Sequence, residues 1–342
     1  MFGFVVMGVL DIVGVLKNFI QDDFSLPEKI AGLIPSVCFL WFLILAVPIG
    51  VMMGRFGRRN IVISGMAICV AGLLIPPFFR LSLAAHLVSL GLLGIGGTML
   101  VVGLPPLLCA VVPSDRIAGT MSISSAFKTL TAVAVPLLIA LFTKSSLGWQ
   151  SSLPVLAAFA LCGAVWLRLA PVEDSPTDSI TSIKSTFSLL IREKTMRECF
   201  LLQILVVGFD IGLITFFPRI VQSRAGMSLA AASAVAAAYP VAKLTVALFG
   251  GALLLKVDRK KYVVASLGIM AAGIVTTVFS VSEFALLAGV VLIGAGYANL
   301  YTLIYTRASA AFPDKGNEVS SLMITSLAGG AIVPLFISLL IG

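Results

Sequence analysis

Four ionisable side chains interrupt long apolar runs: Asp11, Lys128, Asp210 and Lys243. A charge near the centre of a bilayer costs about 2.5–3.5 kcal/mol even on the lenient insertion scale. Acids and amines in such surroundings neutralise unless they are paired or wetted. Counted from the ends of their runs, all four lie about ten residues in, roughly 15 Å at 1.5 Å per residue, which is near the midplane. Each half of the chain holds one acid and one lysine. Two chemistries fit that pattern. In one, Asp11 pairs with Lys128 and Asp210 with Lys243, and each simply cancels the other. In the other, at least one acid binds solute hydroxyls or carries a proton while a lysine sets its pKa, as intramembrane charges that line a transport path commonly do.

Polar residues near these four extend the candidate set. Asn18 follows Asp11 by two helical turns, with Gly14 between them, and Gln203 precedes Asp210 by the same interval. Farther on, Tyr297, Tyr301 and Tyr305 form an aromatic stripe at a spacing of four, and Asn299 and Thr302 share a helical face beside it. A stripe of this kind either packs in a core or walls a wet cavity, and amide and hydroxyl groups beside aromatic faces suit small polar ligands. His86, the only histidine, is expected as an interfacial residue, and Lys17 near an outer mouth. Asn18, Gln203, Tyr297, Asn299 and Thr302 are therefore the candidate cavity residues.

These residues need membrane-spanning elements to position them. The chain is 59% hydrophobic and 11% charged, with a mean hydropathy of +1.12, which excludes a soluble domain. Runs of more than about 18 apolar residues recur, each long enough to cross a hydrocarbon core. They lack strand-like alternation, so they are read as helices. The expected spans are roughly 1–20, 30–52, 61–79, 84–112, 119–142, 150–170, 199–222, 228–255, 262–281, 284–310 and 318–341. A polar stretch over 171–197 divides six spans (1–170) from five (198–342). The net charge of +8 is distributed between spans rather than on one soluble face, so it does not indicate nucleic acid. Cys38, Cys69, Cys109, Cys162 and Cys199 stand singly and are expected as small core residues. No metal cluster, cofactor motif or nucleophile–base set is present in the sequence, and no enzyme is expected.

Two basic turns fix orientation. The first reads Gly50-Val-Met-Met-Gly54-Arg55-Phe-Gly57-Arg58-Arg59; the second runs from Gly250-Gly251 to Lys256-Val-Asp258-Arg259-Lys260-Lys261, about 200 residues later. Glycines let helices approach closely, and the basic clusters hold each turn on the cytoplasmic face. Arg116, Arg168, Lys184, Arg192, Lys194 and Arg197 fall on the same side, against Lys17, Lys29, Arg80, Lys144, Arg219 and Arg224 on the other. The N-terminus is then cytoplasmic.

These turns resemble the signature loop of the major facilitator superfamily, G-x-x-x-D-R-x-G-R-[RK] between spans 2 and 3, with a weaker copy between spans 8 and 9. Gly50, Arg55, Gly57, Arg58 and Arg59 match; Gly54 stands where the family has Asp. The resemblance implies an all-α integral membrane protein of two bundles, with twelve spans in the family against eleven read here, and a conformational role for the signature loops, including Asp258 and Arg259. The absent twelfth helix would leave an exposed packing face on the second bundle.

Within that superfamily the chain is most similar to the fucose–proton symporter-like sugar transporters, in Gly8-Val-Leu-Asp11-Ile12, in Pro27 to Leu33, and in Ser320 to Pro334. In that group an Asp on span 1 and a Glu on span 4 serve sugar binding and protonation. Asp11 matches the first; span 4 here has no acid, and Asp210 is a possible replacement. The resemblance implies a monomeric transporter of the cytoplasmic membrane whose partners are a small polar solute, protons and lipid. An antiporter of the same fold is an alternative, although span 5 lacks the G-x-x-x-G-P-x-x-G-G pattern of drug–proton antiporters. A non-transporting receptor or remnant is another.

Overall fold

Hydrocarbon offers a backbone no hydrogen-bond partner, so a chain this apolar satisfies its peptide groups within helices. The computed structural model describes residues 2–112, 117–144, 148–171, 183–254, 258–312 and 315–341. Among the described residues, α-helices and short 3₁₀ turns make up all of the regular structure.

The first span is α1 (Phe2–Val9) and α2 (Val13–Asp23), separated by a 3₁₀ turn at Leu10–Ile12. A short α3 (Glu28–Ala31) leads into α4 (Ile34–Phe56), followed by α5 (Arg58–Phe78), α6 (Leu83–Val111), α7 (Ile117–Lys144) and α8 (Leu153–Leu169). An intervening helix, α9 (Ile183–Arg192), precedes α10 (Lys194–Ala225), the longest in the molecule. The eighth span is broken into α11 (Leu229–Ala236) and α12 (Ala238–Leu254). α13 (Arg259–Phe279) is continuous, the tenth span divides into α14 (Glu283–Tyr297) and α15 (Leu300–Ala311), and the eleventh divides into α16 (Gly316–Thr325) and α17 (Gly329–Ile341) around a 3₁₀ turn. Among the described residues, ten stretches are long and apolar enough to cross a membrane, or eleven when α1 and α2 count as one bent span. The expected polar linker is thus partly a helix: α9 buries Thr186 and Leu189 and packs on α10 and α16.

Glycines set the helix spacing, in the same way in both halves. A Cβ at Gly65 on α5 would lie 2.9 Å from the Gly96 carbonyl on α6, and one at Gly96 would lie 2.6 Å from the Gly65 carbonyl and from Cys69 Sγ. In the second half, α13 and α14 repeat the contact. A Cβ at Gly273 would be 2.6 Å from the Gly289 carbonyl, and one at Gly289 3.1 Å from that of Gly273. Backbones in lipid can approach this closely only where side chains are absent. α6 is the hub of the first half, since Gly94 admits the Cys38 carbonyl of α4 and Gly97 admits Leu10. Gly50 does not do this, because a Cβ there would meet nothing within 4 Å. The signature glycine with a steric duty is Gly57, whose φ of 80° turns α4 into α5 in a conformation that other residues rarely adopt.

Among the described residues the two halves meet where α10 packs on α2, where α17 and α16 pack on α4 and α17 on α3, and where α11 and α12 pack on α7. At the first, a Cβ at Gly14 would lie 2.4 Å from Thr215 Oγ1; at the second, one at Gly32 would lie 2.0 Å from Ser338 Oγ. Ser36 adds a hydrogen bond, donating to the Ala331 carbonyl at 2.8 Å. In the first half α8 packs on α5 and α1. The corresponding helices of the second half, α13 and α10, border an open apolar groove of about 960 Å³ whose walls include Phe209, Leu213, Leu267, Met270 and Ile337. Cys38, Cys69 and Cys199 are core residues as expected, but Cys162 is exposed on the bundle surface.

Gly96→Leu is expected to destabilise the protein by about 1–3 kcal/mol through overpacking of α5 on α6. Gly50→Ala should leave stability unchanged. Melting followed with a thiol-reactive dye, which reads exposure of the buried Cys38 and Cys69, checks the contrast.

Candidate transport site

α10 carries Asp210 and α12 carries Lys243, and the fold brings them together. Lys243 Nζ donates to Asp210 Oδ2 at 2.9 Å and to Oδ1 at 3.0 Å. Tyr239, one helical turn before Lys243 on α12, donates its hydroxyl to Asp210 Oδ1 at 2.6 Å. The ammonium lies over two aromatic faces, 5.2 Å from the Tyr239 ring centre and 5.2 Å from that of Tyr297 on α14. Tyr297 in turn stacks on Phe209 at 6.3 Å. Carboxylate, phenol and ring faces together replace the water that an ammonium and a carboxylate lose on burial. Both side chains keep some access, 22% for Lys243 and 18% for Asp210, so the cluster is a partly open polar site.

A second charged layer closes one end of the bundle interface, remote from the basic turns. Lys17 on α2 is fully buried, although the sequence places it at a mouth. It pairs with Glu28 at the start of α3 and lies 4.9 Å from the Phe216 ring centre on α10. Gln21 donates to the other Glu28 oxygen at 2.7 Å. Asn18 donates to the Thr215 carbonyl at 2.7 Å and to Gly14 at 3.3 Å, which ties α2 to α10. Arg219 on α10 reaches back to the Asn18 carbonyl at 3.1 Å and pairs with Asp22. Asn18 is therefore a tie between bundles, where the sequence suggests a cavity wall.

The other candidates are dispersed. The Asp11 backbone lies in the 3₁₀ turn of the first span, and its side chain is outside the described residues, so the proposed Asp11–Lys128 pair is outside them too. Lys128 is half-buried on α7, with its own carbonyl against Gly8. Gln203 is fully buried, with the Tyr301 hydroxyl beside its amide. Asn299 and Thr302 do not share a face. The tenth span breaks at Ala298–Asn299, which resets the helical period; Asn299 is buried and donates to the Tyr262 hydroxyl of α13 at 2.6 Å, while Thr302 is exposed. The same break splits the tyrosine stripe, so that Tyr297 joins the Asp210 cluster and Tyr301 stacks on Tyr305 at 6.4 Å.

The basic turns have structural duties. Arg59 donates to the carbonyls of Leu167, Arg168 and Ala170 at 2.7–2.9 Å through Nη2, capping the end of α8. Arg58 donates to the Pro106 carbonyl at 3.4 Å, and Arg55 is exposed. Asp258 caps α13 by accepting from the Lys260 and Lys261 amides at 3.0 and 3.2 Å; the Arg259 side chain is outside the described residues. His86, in the first turn of α6, is buried. It donates through Nδ1 to the Ser82 carbonyl at 2.8 Å and packs on Phe24 and Trp149. Tyr239 joins the site beyond the candidates named from sequence, and its spacing of four from Lys243 is the signal that marks it. The partnership of Lys17 with Glu28 crosses a turn and has no such period.

The sequence profile described as Major Facilitator Superfamily matches residues 1–235 and 199–342. No curated protein matches in sequence. Among solved structures, the E. coli fucose:proton symporter FucP is similar at 20% identity and a TM-score of 0.62, over 96% of this chain and 89% of that one. The nucleoside transporter NupG has 11% identity and a TM-score of 0.78, over 98% and 88%. A D-xylose-proton symporter has 16% identity and a TM-score of 0.72, over 98% and 85%. At these identities the likeness is one of fold.

Lys243→Met alone leaves a carboxylate without its counter-charge, whereas Asp210→Asn with Lys243→Met removes both charges. The double variant is expected to be more stable than the sum of the single losses predicts, with a coupling of about 1–3 kcal/mol. Reversible unfolding in mixed micelles checks the cycle; additive losses would show that the pair contributes nothing.

Proposed function

The chain belongs to the Major Facilitator Superfamily, and from that premise we propose that it is a secondary transporter moving a small neutral polar solute, such as a sugar, together with protons. The observation that carries the reading is the midplane cluster of Asp210, Lys243, Tyr239 and Tyr297. A carboxylate accepts hydrogen bonds from vicinal hydroxyls, and an aromatic face covers the apolar side of a sugar ring. A proton on Asp210 would weaken its hold on Lys243 and free the carboxyl group to meet a solute hydroxyl, so proton binding and solute binding would favour each other, as symport requires. Asp11 lies at a break in the first span, where a carboxylate of the symporter-like group is expected, and it is proposed as the second participant. The names of two structural relatives, a fucose:proton and a D-xylose-proton symporter, agree with this chemistry.

Transport would proceed by rocking of 1–170 against 198–342 about the midplane. With the basic turns on the cytoplasmic side of the cell membrane, the Lys17–Glu28 and Asp22–Arg219 layer is the outer closure. The protein is proposed to work as a monomer, because each chain contains both bundles.

The test is external pH in lightly buffered cells expressing the protein, on addition of sugars, nucleosides, amino acids and organic acids in turn. One solute class is expected to alkalinise the medium. Asp11→Asn and Asp210→Asn should each abolish proton-coupled accumulation while leaving the protein folded in the membrane. Undiminished accumulation in both variants would refute the assignment. Acidification on solute addition would point to an antiporter instead.

A further inference from the structure

Between the bundles, on the side of Asp210 towards the Lys17–Glu28 layer, lies a small cavity of about 20 Å³. Both halves line it: Val15 and Pro136 from the first, Phe217, Ser233, Ala236 and Tyr239 from the second. Most of this wall is apolar, yet Ser233 is fully buried and its hydroxyl has no hydrogen-bond partner. An unsatisfied buried hydroxyl is costly, and each such group in a native fold calls for an explanation. A second polar atom is supplied by the break between α11 and α12. Pro240 has no N–H, so the Ala236 carbonyl, one turn earlier, lacks its intrahelical donor. A water needs roughly 10–15 Å³ of free volume and two to four polar partners; the cavity offers the room, and Ser233 and Ala236 offer the partners.

We propose that this cavity holds a water molecule that passes protons to Asp210 through the Tyr239 hydroxyl. Tyr239 is the one residue that both lines the cavity and donates to Asp210 Oδ1, at 2.6 Å. The step balances without a co-reactant. The protonated water gives a proton to the Tyr239 oxygen as the phenol's own proton moves to Asp210 Oδ1; water and phenol are regenerated, and only Asp210 has changed. The charged and titratable groups around Asp210 are Lys243 and Tyr239 of α12 and Tyr297 of α14; across the interface α7 carries Lys128 and the 3₁₀ turn carries Asp11. Because the cavity is walled by both bundles, parting them would open it to the medium on that side, whereas Asp210 and Lys243 belong to one bundle and would stay together. The relay rests on the proposed role of Asp210 as a proton carrier.

The experiment needs no solute. Purified full-length protein in nanodiscs is subjected to a drop in pH, and the carboxylic acid C=O band of Asp210 is followed by time-resolved infrared difference spectroscopy. Asp210→Asn identifies the band by removing it. Tyr239→Phe and Ser233→Ala are each expected to slow its rise by about tenfold or more, the scale on which loss of a positioned proton-transfer group acts. Ser233→Thr, which keeps a hydroxyl, should retain most of the rate. If Asp210→Asn leaves the difference spectrum unchanged, Asp210 takes no proton, and the functional reading fails with the relay. If the Asp210 band is present but rises at the wild-type rate in both Tyr239→Phe and Ser233→Ala, the relay alone is wrong, whatever happens to the band's amplitude.

Discussion

The cost of holding a charge away from water organises this molecule. Lys243, Lys17 and Arg219 are each met by a carboxylate and by a further set of donors, acceptors or ring faces. Lys243 has Asp210 and two tyrosine rings. Lys17 has Glu28 and a phenylalanine ring, and Arg219 has Asp22 and a backbone carbonyl. Coulomb attraction alone does not repay desolvation, and a pair becomes tolerable only when its remaining hydrogen-bonding capacity is also met. The aromatic residues near the charges therefore have an electrostatic duty as well as a packing one.

Meeting that cost requires helices brought within side-chain reach of one another, and the glycine contacts provide this. The Gly65–Gly96 contact of α5 with α6 recurs as Gly273–Gly289 between α13 and α14. Two halves with little visible sequence likeness thus solve the same packing problem with the same device. Across the bundle interface the device changes character: Gly14 and Gly32 admit Thr215 and Ser338, side chains that also hydrogen-bond. At Gly65–Gly96 and Gly273–Gly289, within the bundles, backbone meets backbone; at Gly14 and Gly32, between the bundles, backbone meets a small side chain.

The spans were legible because a bilayer imposes one length and one composition on every helix that crosses it, and hydropathy reads both. The Asp210–Lys243 partnership could be anticipated for a related reason: depth along a helix is a linear count, and two charges at one depth in adjacent spans have few other partners. What the sequence concealed depends on breaks in the helical period. Asn299 and Thr302 share a face only on an unbroken helix, and the interruption at Ala298–Asn299 sends one inward to Tyr262 and the other outward. The burial of Lys17 was hidden because its counter-charge lies across the turn from α2 to α3, where no periodicity applies. The helix α9 was hidden by its polar residues, since it buries one narrow face and exposes the rest.

The two charged layers differ in a way that bears on how such a protein can work. The Asp210–Lys243–Tyr239 cluster lies wholly within the second half, whereas the Arg219–Asp22 pair and the Asn18–Thr215 bond join one half to the other. A rigid-body rotation of one half against the other must break the second set and can leave the first intact. On the proposed mechanism, the Asp210 cluster would hold a ligand or a proton through the movement, and the Asp22–Arg219 layer would shut one face. Any influence of the first on the second has to travel through α10, which carries both Asp210 and Arg219, or through the break before Tyr239, where α11 meets α7 of the other half. α10 is one helix, but Pro218 stands between Asp210 and Arg219 and leaves the Ile214 carbonyl without its usual donor, so each route passes a point where a helix can bend. The first route leads to Arg219 and the second to the bundle interface, so a shift at the Asp210 cluster reaches either one only through a proline-weakened turn.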